Sequence, residues 1–450
     1  MMVFRKEFNK VICSISYLIF IGVLVIALSS QGVINYREDK LEQPQTGQNY
    51  GVKSEEIPEL IMPAALESLY QEFSMNSYVT YPIGFYKKVR LNDSKQEEVA
   101  QILSDLTGID RDSILHAANE SVEEGQEGAF IIGDFADMTD NGDGSFSVSR
   151  QEEEPEENPE EWDLLPKTDL TYEEFQNAMA RVDTILGGGS QYAADSLRHF
   201  AKVPVTYEEA VREYGLVKEY DRFTGGYARL FCDYAGAMVC SVFPVFLAVV
   251  LSMKDKRARM AELVYTSARS SGSIVIVRYL AILCAVMLPV IILSYISNVS
   301  VWKLYPGMEL DYLAPLKYDL LWLLPSVMIA SAVGMCLTEL TDIPIAIAVQ
   351  GFWWFLDVNA GYKTVESAYS LLRLAPRHNA GTLSRFRTQD YMDHVPDLIA
   401  NRLLMAGLAV LLIIITILIY ERKRRGKQYG SHSIKDFITG FSHRSHESAA

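Results

Sequence analysis

Six apolar runs constrain this chain more than any other feature of its sequence, each measured against the roughly 20 residues that a helix needs to cross bilayer hydrocarbon. They lie near Val11–Ile34, Leu230–Met253, Ile274–Ser297, Tyr318–Thr338, Ile343–Val358 and Arg402–Tyr420. The fifth is short: at about 1.5 Å per residue it reaches roughly 24 Å, so it extends into its flanks or sits in thinned bilayer. The mean hydropathy of +0.07 hides this pattern, because a very polar part and a very apolar part of the chain cancel. The expected fold is an α-helical polytopic membrane protein with six transmembrane helices.

Flanking charge sets the expected orientation, since short loops rich in Lys and Arg resist translocation. Arg5, Lys6 and Lys10 hold the N-terminus in the cytoplasm. Lys254, Lys256, Arg257 and Arg259 do the same for the loop after the second run, and Arg422–Arg425 with Lys427 for the tail. An even number of spans satisfies all three. Trp302, Trp322, Trp353 and Trp354 fall near span ends, where interfacial rings gather. A cleaved signal peptide is the lesser reading of the first run, which is longer than a signal-peptide core and has no convincing small-x-small cleavage site. Cys13, Cys232, Cys240, Cys284 and Cys336 all fall in or beside spans, which leaves the long polar stretch without a disulfide framework.

That stretch, 37–228, is expected to be an extracytoplasmic domain of α/β or mainly α type, inserted after the first span. It carries roughly 40 acidic against roughly 17 basic residues, which accounts for the net charge of −16. Helix signals recur: apolar residues at helical spacing over Ile57–Met75, and capping-box patterns at Ser94 with Glu97, Thr171 with Glu174, and Thr206 with Glu209. Ser77–Ile83 and Ala129–Ile132 read as extended. In TDNGDGSF, Asn141, Asp143 and Gly144 match positions three, five and six of a calcium loop. Thr139 and Arg150 stand where an aspartate and the bidentate glutamate belong, so an Asn-Gly or Asp-Gly turn is the simpler reading. Glu152–Asp163 reads as a solvated loop. Leu186–Gln191 (LGGGSQ) reads as a glycine-rich helix end. No G-x-x-x-x-G-K-[ST] loop exists to cradle phosphates, and neither H-E-x-x-H nor G-x-S-x-G occurs, so no catalytic or metal residues are assigned.

The layout resembles the permease subunits of the type-2 ABC exporter family, in the subgroup with a large extracytoplasmic domain between the first two spans. The likeness rests on the amphipathic start MMVFRKEFNKVI, with Phe4, Phe8, Val11 and Ile12 on one face, and on the large insertion after the first span. It also rests on a charged loop with Glu262-Leu263 that re-enters at Arg278, a tight turn at Thr338–Asp342 and a long loop before the last span. It covers about 250 residues of membrane sequence and leaves the acidic domain unexplained. The family's Thr-x-Glu-x-Leu reads here Met260-Ala261-Glu262-Leu263.

The resemblance implies a transport subunit with no enzyme activity of its own. It would have no cofactor, ATP being bound by a separate ABC ATP-binding subunit, and would work as a homodimer or heterodimer with a second permease in the plasma membrane. It divides the chain into an amphipathic segment and first span (1–36), the acidic domain (37–228), spans two to six (229–422) and a basic tail (423–450). Within the third part lie a cytoplasmic coupling loop (253–274) and an outer loop (359–401). The coupling residues are Lys254, Lys256, Arg257, Arg259, Met260, Glu262 and Leu263: basic groups meet headgroups or an acidic groove, and the apolar ones offer a docking face. The plainer reading is that these charges only orient the spans. In the outer loop, Arg373, Arg377, Arg385 and Arg387 stand where they can contact the acidic domain, substrate or anionic lipid, the alternative being a solvated loop.

Inside the spans, Arg278 can snorkel. Arg229 and Asp233 suit an i,i+4 pair, and Gln350 can bond across a helix interface. Pro244, Pro289, Pro325 and Pro344 mark kinks. So few charges suit an amphiphilic, lipid-like or hydrophobic peptide substrate. Two rivals remain at this stage: a four-span mechanotransmission-type ABC permease, and a membrane receptor that senses a ligand through its outer domain.

Overall fold

The computed structural model describes residues 2–34, 40–82, 86–116, 138–140, 146–148, 164–258, 269–359, 369–378 and 386–425. The chain divides into two compact units, one of Met1–Tyr50 with Val205–Ala450 and one of Gly51–Pro204. The first opens with α1 (Met2–Ile12) and α2 (Ile15–Ser30), which meet at a 62° bend. Ser14 caps α2 by accepting the Tyr17 N–H.

Among its described residues, the Gly51–Pro204 unit combines helices with short strand pairs. It contains β1 (Val52–Ser54), α3 (Pro58–Ser74), β2 (Tyr78–Thr80), β3 (Lys87–Val89), α4 (Asp93–Thr107), β4 (Met138–Asp140), β5 (Phe146–Val148), α5 (Tyr172–Leu186) and β6 (Lys202–Pro204). The first and last strands pair antiparallel, Val52 opposite Pro204, so both ends of the unit lie side by side. The core is built from helical stripes. Phe175, Met179, Val182 and Leu186 of α5 are buried at i, i+4, i+7 and i+11, and pack with Leu66, Leu69 and Phe73 of α3 and Val99, Leu103 and Leu106 of α4.

Local signals act here as the sequence suggests. Thr171 and Glu174 form a complete capping box, and Gly187 ends α5 in the left-handed conformation. Gly189 also has positive φ, and a Cβ there would come within 2.6 Å of the Tyr81 backbone. The cap of α4 lies two residues before the expected Ser94, because Asn92 accepts the Lys95 N–H. β4 and β5 pair as a hairpin, Asp140 opposite Phe146. Asn141, Asp143, Gly144 and Arg150 of the calcium-loop reading lie outside the described residues, as do Ala129–Ile132 and Glu152–Asp163.

The helical unit continues with α6 (Tyr207–Leu216), α7 (Gly225–Ala235), α8 (Pro244–Arg257), α9 (Ser271–Leu304), α10 (Ala314–Tyr318), α11 (Leu324–Thr341), α12 (Ile345–Asn359) and α13 (Thr388–Arg424). Among the described residues, three stretches are long and apolar enough to cross a membrane: Ser271–Leu304, Ala314–Thr341 and Thr388–Arg424. Two bent pairs, α1 with α2 and Gly225–Cys240 with α8, also reach that measure when each is taken together. α12, the expected fifth span, has 15 residues. This is compatible with a helical membrane protein.

Turns of π-helix interrupt the bundle at Val217–Asp221, Gly236–Cys240 and Asp319–Leu323. The second precedes Pro244, whose ring cannot donate, and the chain bends by 40°. The Val245 N–H turns to Val242 O, which leaves the Ser241 carbonyl to accept Gln350 Nε2 at 2.7 Å. Trp354 Nε1 donates to Ala237 O at 2.6 Å. The short α12 is thus pinned to backbone oxygens at the bend. Gly334 of α11 lets α8 approach closely, since a Cβ there would lie 2.6 Å from that of Ala248.

Candidate functional site

The basic end of the helical unit gathers the helix ends that flank the expected coupling loop. α1 packs against α9 and touches α8, the two helices that the loop joins. Phe8, Val11 and Ile12 face the core as the amphipathic pattern suggests. Glu7 is buried as well, and its carboxylate lies 3.5 Å from Arg278 Nε of α9. Arg278 is therefore held inside by α1 rather than reaching outward. Glu7 also accepts from Lys10 at 2.8 Å. At the same end Lys423 reaches Asp342 at 2.8 Å and the Glu339 carbonyl, and Ser271 donates to Glu421. Lys254 is exposed near the end of α8. The backbone of Lys256 and Arg257 is helical, whereas Arg259, Met260, Glu262 and Leu263 lie outside the described residues.

The far end is organised around a buried ion pair. Asp221 ends its π turn and is followed by Arg222 and Phe223, both at positive φ. Such left-handed non-glycine residues persist only where surroundings fix them. The reversal returns the Asp221 carboxylate to Arg229, which it meets with two bonds of 2.6 and 2.7 Å between wholly buried side chains. Gly225 makes room, since a Cβ there would come within 2.3 Å of Asp221 Oδ1, and Gly226 does the same for the Phe386 ring at 2.5 Å. Thr388 donates to the second Asp221 oxygen at 2.9 Å. Arg229 also donates to Tyr318 Oη and the Phe386 carbonyl, and its guanidinium lies 4.3 Å from the centre of the Tyr391 ring. The expected Arg229–Asp233 partnership is thus replaced: Arg229 is committed to Asp221, and Asp233 accepts the His378 N–H at 2.8 Å.

The chain before α13 is tied down chiefly by its backbone. Asn401 Nδ2 donates to the carbonyls of Ser370, Leu371 and Arg373 at 2.8–2.9 Å. Arg402 donates to those of Arg373, Leu374 and Trp322 and to Ser326 Oγ. Trp322 is wholly buried and donates to Pro376 O at 2.8 Å, a core role rather than the expected interfacial one. Asp357 accepts the Leu374 and Ala375 N–H groups. Arg373 and Arg377 donate to the carbonyls of Asp357 and Val358, and Arg387 pairs with Asp390 at 2.6 Å. Three of the four outer-loop arginines thus have partners within this unit; Arg385 lies outside the described residues. Burial lowers Arg377 to about 10. Burial first, then the Arg229 charge, lowers His378 to about 3, so the ring is neutral at physiological pH. A neutral ring fits its contacts, with Nε2–H donating to Phe386 O at 2.9 Å and Nδ1 accepting from Tyr369 Oη.

Sequence reading singled out Arg229 and Asp233 but not Asp221, Asp319, Asp357, Asn401 or Arg402. Two signals were present: Asp319 and Arg402 sit at the very starts of apolar runs, and Gly225-Gly226 precedes an aromatic. Among the described residues no three His, Cys, Asp or Glu side chains gather as a metal-binding group. At the polar end Arg229 is bonded to a carboxylate, whereas Arg402, Arg373, Arg377, Asp233 and Asp357 bond backbone groups, so the arrangement fixes backbone geometry. No protein-family model, curated protein or solved structure matches the chain.

Proposed function

We propose that this chain is the transmembrane permease subunit of an ATP-driven ABC exporter, with six spans and both termini cytoplasmic. It works as a dimer, with itself or a second permease, on separate ATP-binding subunits, and moves an amphiphilic, lipid-like or peptide substrate outward. The observation that carries this reading is the seating of α1. A buried Glu7–Arg278 contact fixes it against α9, and it also touches α8, so the two helices that emerge from the basic loop share one rigid neighbour. A push delivered to that loop by a cytoplasmic motor would be felt by α1, α8 and α9 together. In this reading Lys254, Lys256, Arg257, Arg259, Met260, Glu262 and Leu263 meet the motor.

Reversing the charges of Lys256, Arg257 and Arg259 together with Leu263→Asp is expected to abolish stimulation of the partner's ATPase while membrane insertion survives. Unchanged stimulation removes the coupling role, and repeated purification without any ATPase partner removes the whole reading. Topology has its own test. Glu339 is buried, so the exposed Asp342 is the better reporter. Cysteines placed at Asp342 and Lys363 should react with an impermeant reagent from opposite sides of the membrane. Reaction from one side would favour a four-span arrangement.

A further inference from the structure

Among the described charged groups of the polar end, Asp319 stands apart. Asp319 lies in the π turn that leads into α11, and its side chain is fully enclosed. Its Oδ1 faces Cys232 Sγ at 3.7 Å, and its Oδ2 is buried without a hydrogen-bond partner. The elements packed around it offer no free cation. On α7, Arg229 is committed to Asp221 and Asp233 accepts from His378. Cys232 and Cys240 present thiols. On α10, Tyr318 accepts from Arg229, and Lys317 is exposed and paired with Asp311. On α13, Arg402 donates to Trp322 O, Ser326 and the Arg373–Leu374 carbonyls. On α11, Cys336 and Glu339 lie several turns further along. Among the described residues, no cation bonds Asp319.

An enclosed carboxylate with no counter-charge is strongly disfavoured, whereas a neutral carboxylic acid is not. As an acid, Oδ2 becomes a donor and needs an acceptor. α9 supplies the candidate: the Ser294 hydroxyl lies within bonding reach of the Asp319 carboxyl and is otherwise buried without a partner, and Asn298 Oδ1, one turn further on α9, is buried without a partner too. Asn298 Nδ2 donates to Ser294 O at 2.8 Å, which turns its amide back toward the Ser294 turn. One added hydrogen on Asp319 thus supplies a donor to the Ser294 oxygen. π turns recur at functional positions in helices, and enclosed ionisable groups in membrane bundles mark proton and ion sites.

We propose that Asp319 is a proton-binding site within the helical unit, a carboxylic acid that donates to the Ser294–Asn298 face of α9. It releases its proton only when water reaches the N-terminal end of α11. Release breaks the Oδ2–H bond, leaves the electron pair on the carboxylate and passes the proton to water. The inference stands apart from the exporter reading.

Infrared spectroscopy of the full-length protein, with aspartate labelled by carbon-13 at the side-chain carboxyl, tests it. A protonated-carboxyl stretch is expected at neutral pH. It should disappear in Asp319→Asn and shift in Ser294→Ala. If Asp319→Asn does not fold, the Ser294→Ala shift carries the test. Absence of a protonated-aspartate band in the unaltered protein overturns the proposal, as does a band that Ser294→Ala leaves unmoved. A spectrum of ionised carboxylate only, sensitive to sodium or potassium, overturns it in favour of a metal cation.

Discussion

Each unit buries a carboxylate within hydrogen-bonding partners, and the two differ in what those partners carry. Asp221 meets a guanidinium through two short bonds, with the Thr388 hydroxyl as a third donor. Glu72, in α3, meets only neutral donors: the Val79 N–H at 3.1 Å and Tyr192 Oη at 2.7 Å. Neutral donors favour the anion but do not offset lost solvation here, and burial pushes the Glu72 carboxyl up to about 7. Equal enclosure therefore gives one carboxylate locked in place by charge and another responsive to pH.

The largest effect should come from breaking the locked pair. Arg229→Met leaves Asp221 buried without its cation and is expected to cost about 3–5 kcal/mol. Arg229→Met with Asp221→Leu should recover most of it. Thermal unfolding of the full-length protein in detergent, read through hydrogen exchange of 217–235, measures both. Loss of equal size in single and double variants would mean that shape, not charge, dominates at this site.

The responsive carboxylate gives a smaller, graded effect. A carboxyl harder to ionise when folded stabilises the fold while protonated. That contribution is complete below its ordinary value of 4.5 and is lost as pH rises through about 7. Hydrogen exchange in α3 and β2 should therefore quicken between mildly acidic and mildly alkaline pH, by a stability loss of roughly 2–3 kcal/mol. Glu72→Gln should flatten the profile. A profile equally steep in that variant would assign the titration elsewhere.

Gly225→Ala sharpens the comparison with the smallest change. The added methyl meets Asp221 Oδ1, and a cost of about 1–3 kcal/mol is expected. The same hydrogen-exchange measurement applies, with no effect expected in the Glu72 pocket.

What could be read from the sequence was what neighbouring residues decide among themselves. The Thr171–Glu174 and Thr206–Glu209 boxes and the Gly187 helix end involve residues three or four apart, and all form. The amphipathic face of α1 was equally plain, and the interfacial contact of Gln350 was anticipated in kind. Other features depended on unseen returns of the chain. Asp221 finds Arg229 only because Arg222 and Phe223 adopt left-handed conformations that no propensity favours. Arg402 opens an expected span, where it reads as a boundary marker, but its partners come from 322–326 and 373–374. Trp322 was assigned to an interface by its position and became core because Pro376 returned to meet it.

The grip of Asn401 and Arg402 on 370–374 has a consequence for sequence change. These two side chains grasp carbonyl oxygens, which every amino acid provides, and not the side chains of the strap they hold. The side chains of Leu371 and Leu372 are exposed. At Leu371 and Leu372 the strap's sequence is therefore free to drift while its path stays fixed, whereas the two residues that hold it are not. Saturation mutagenesis should find near-uniform tolerance at Leu371 and Leu372 beside near-complete intolerance at Asn401 and Arg402, a contrast set by which partner contributes side chain and which contributes only backbone.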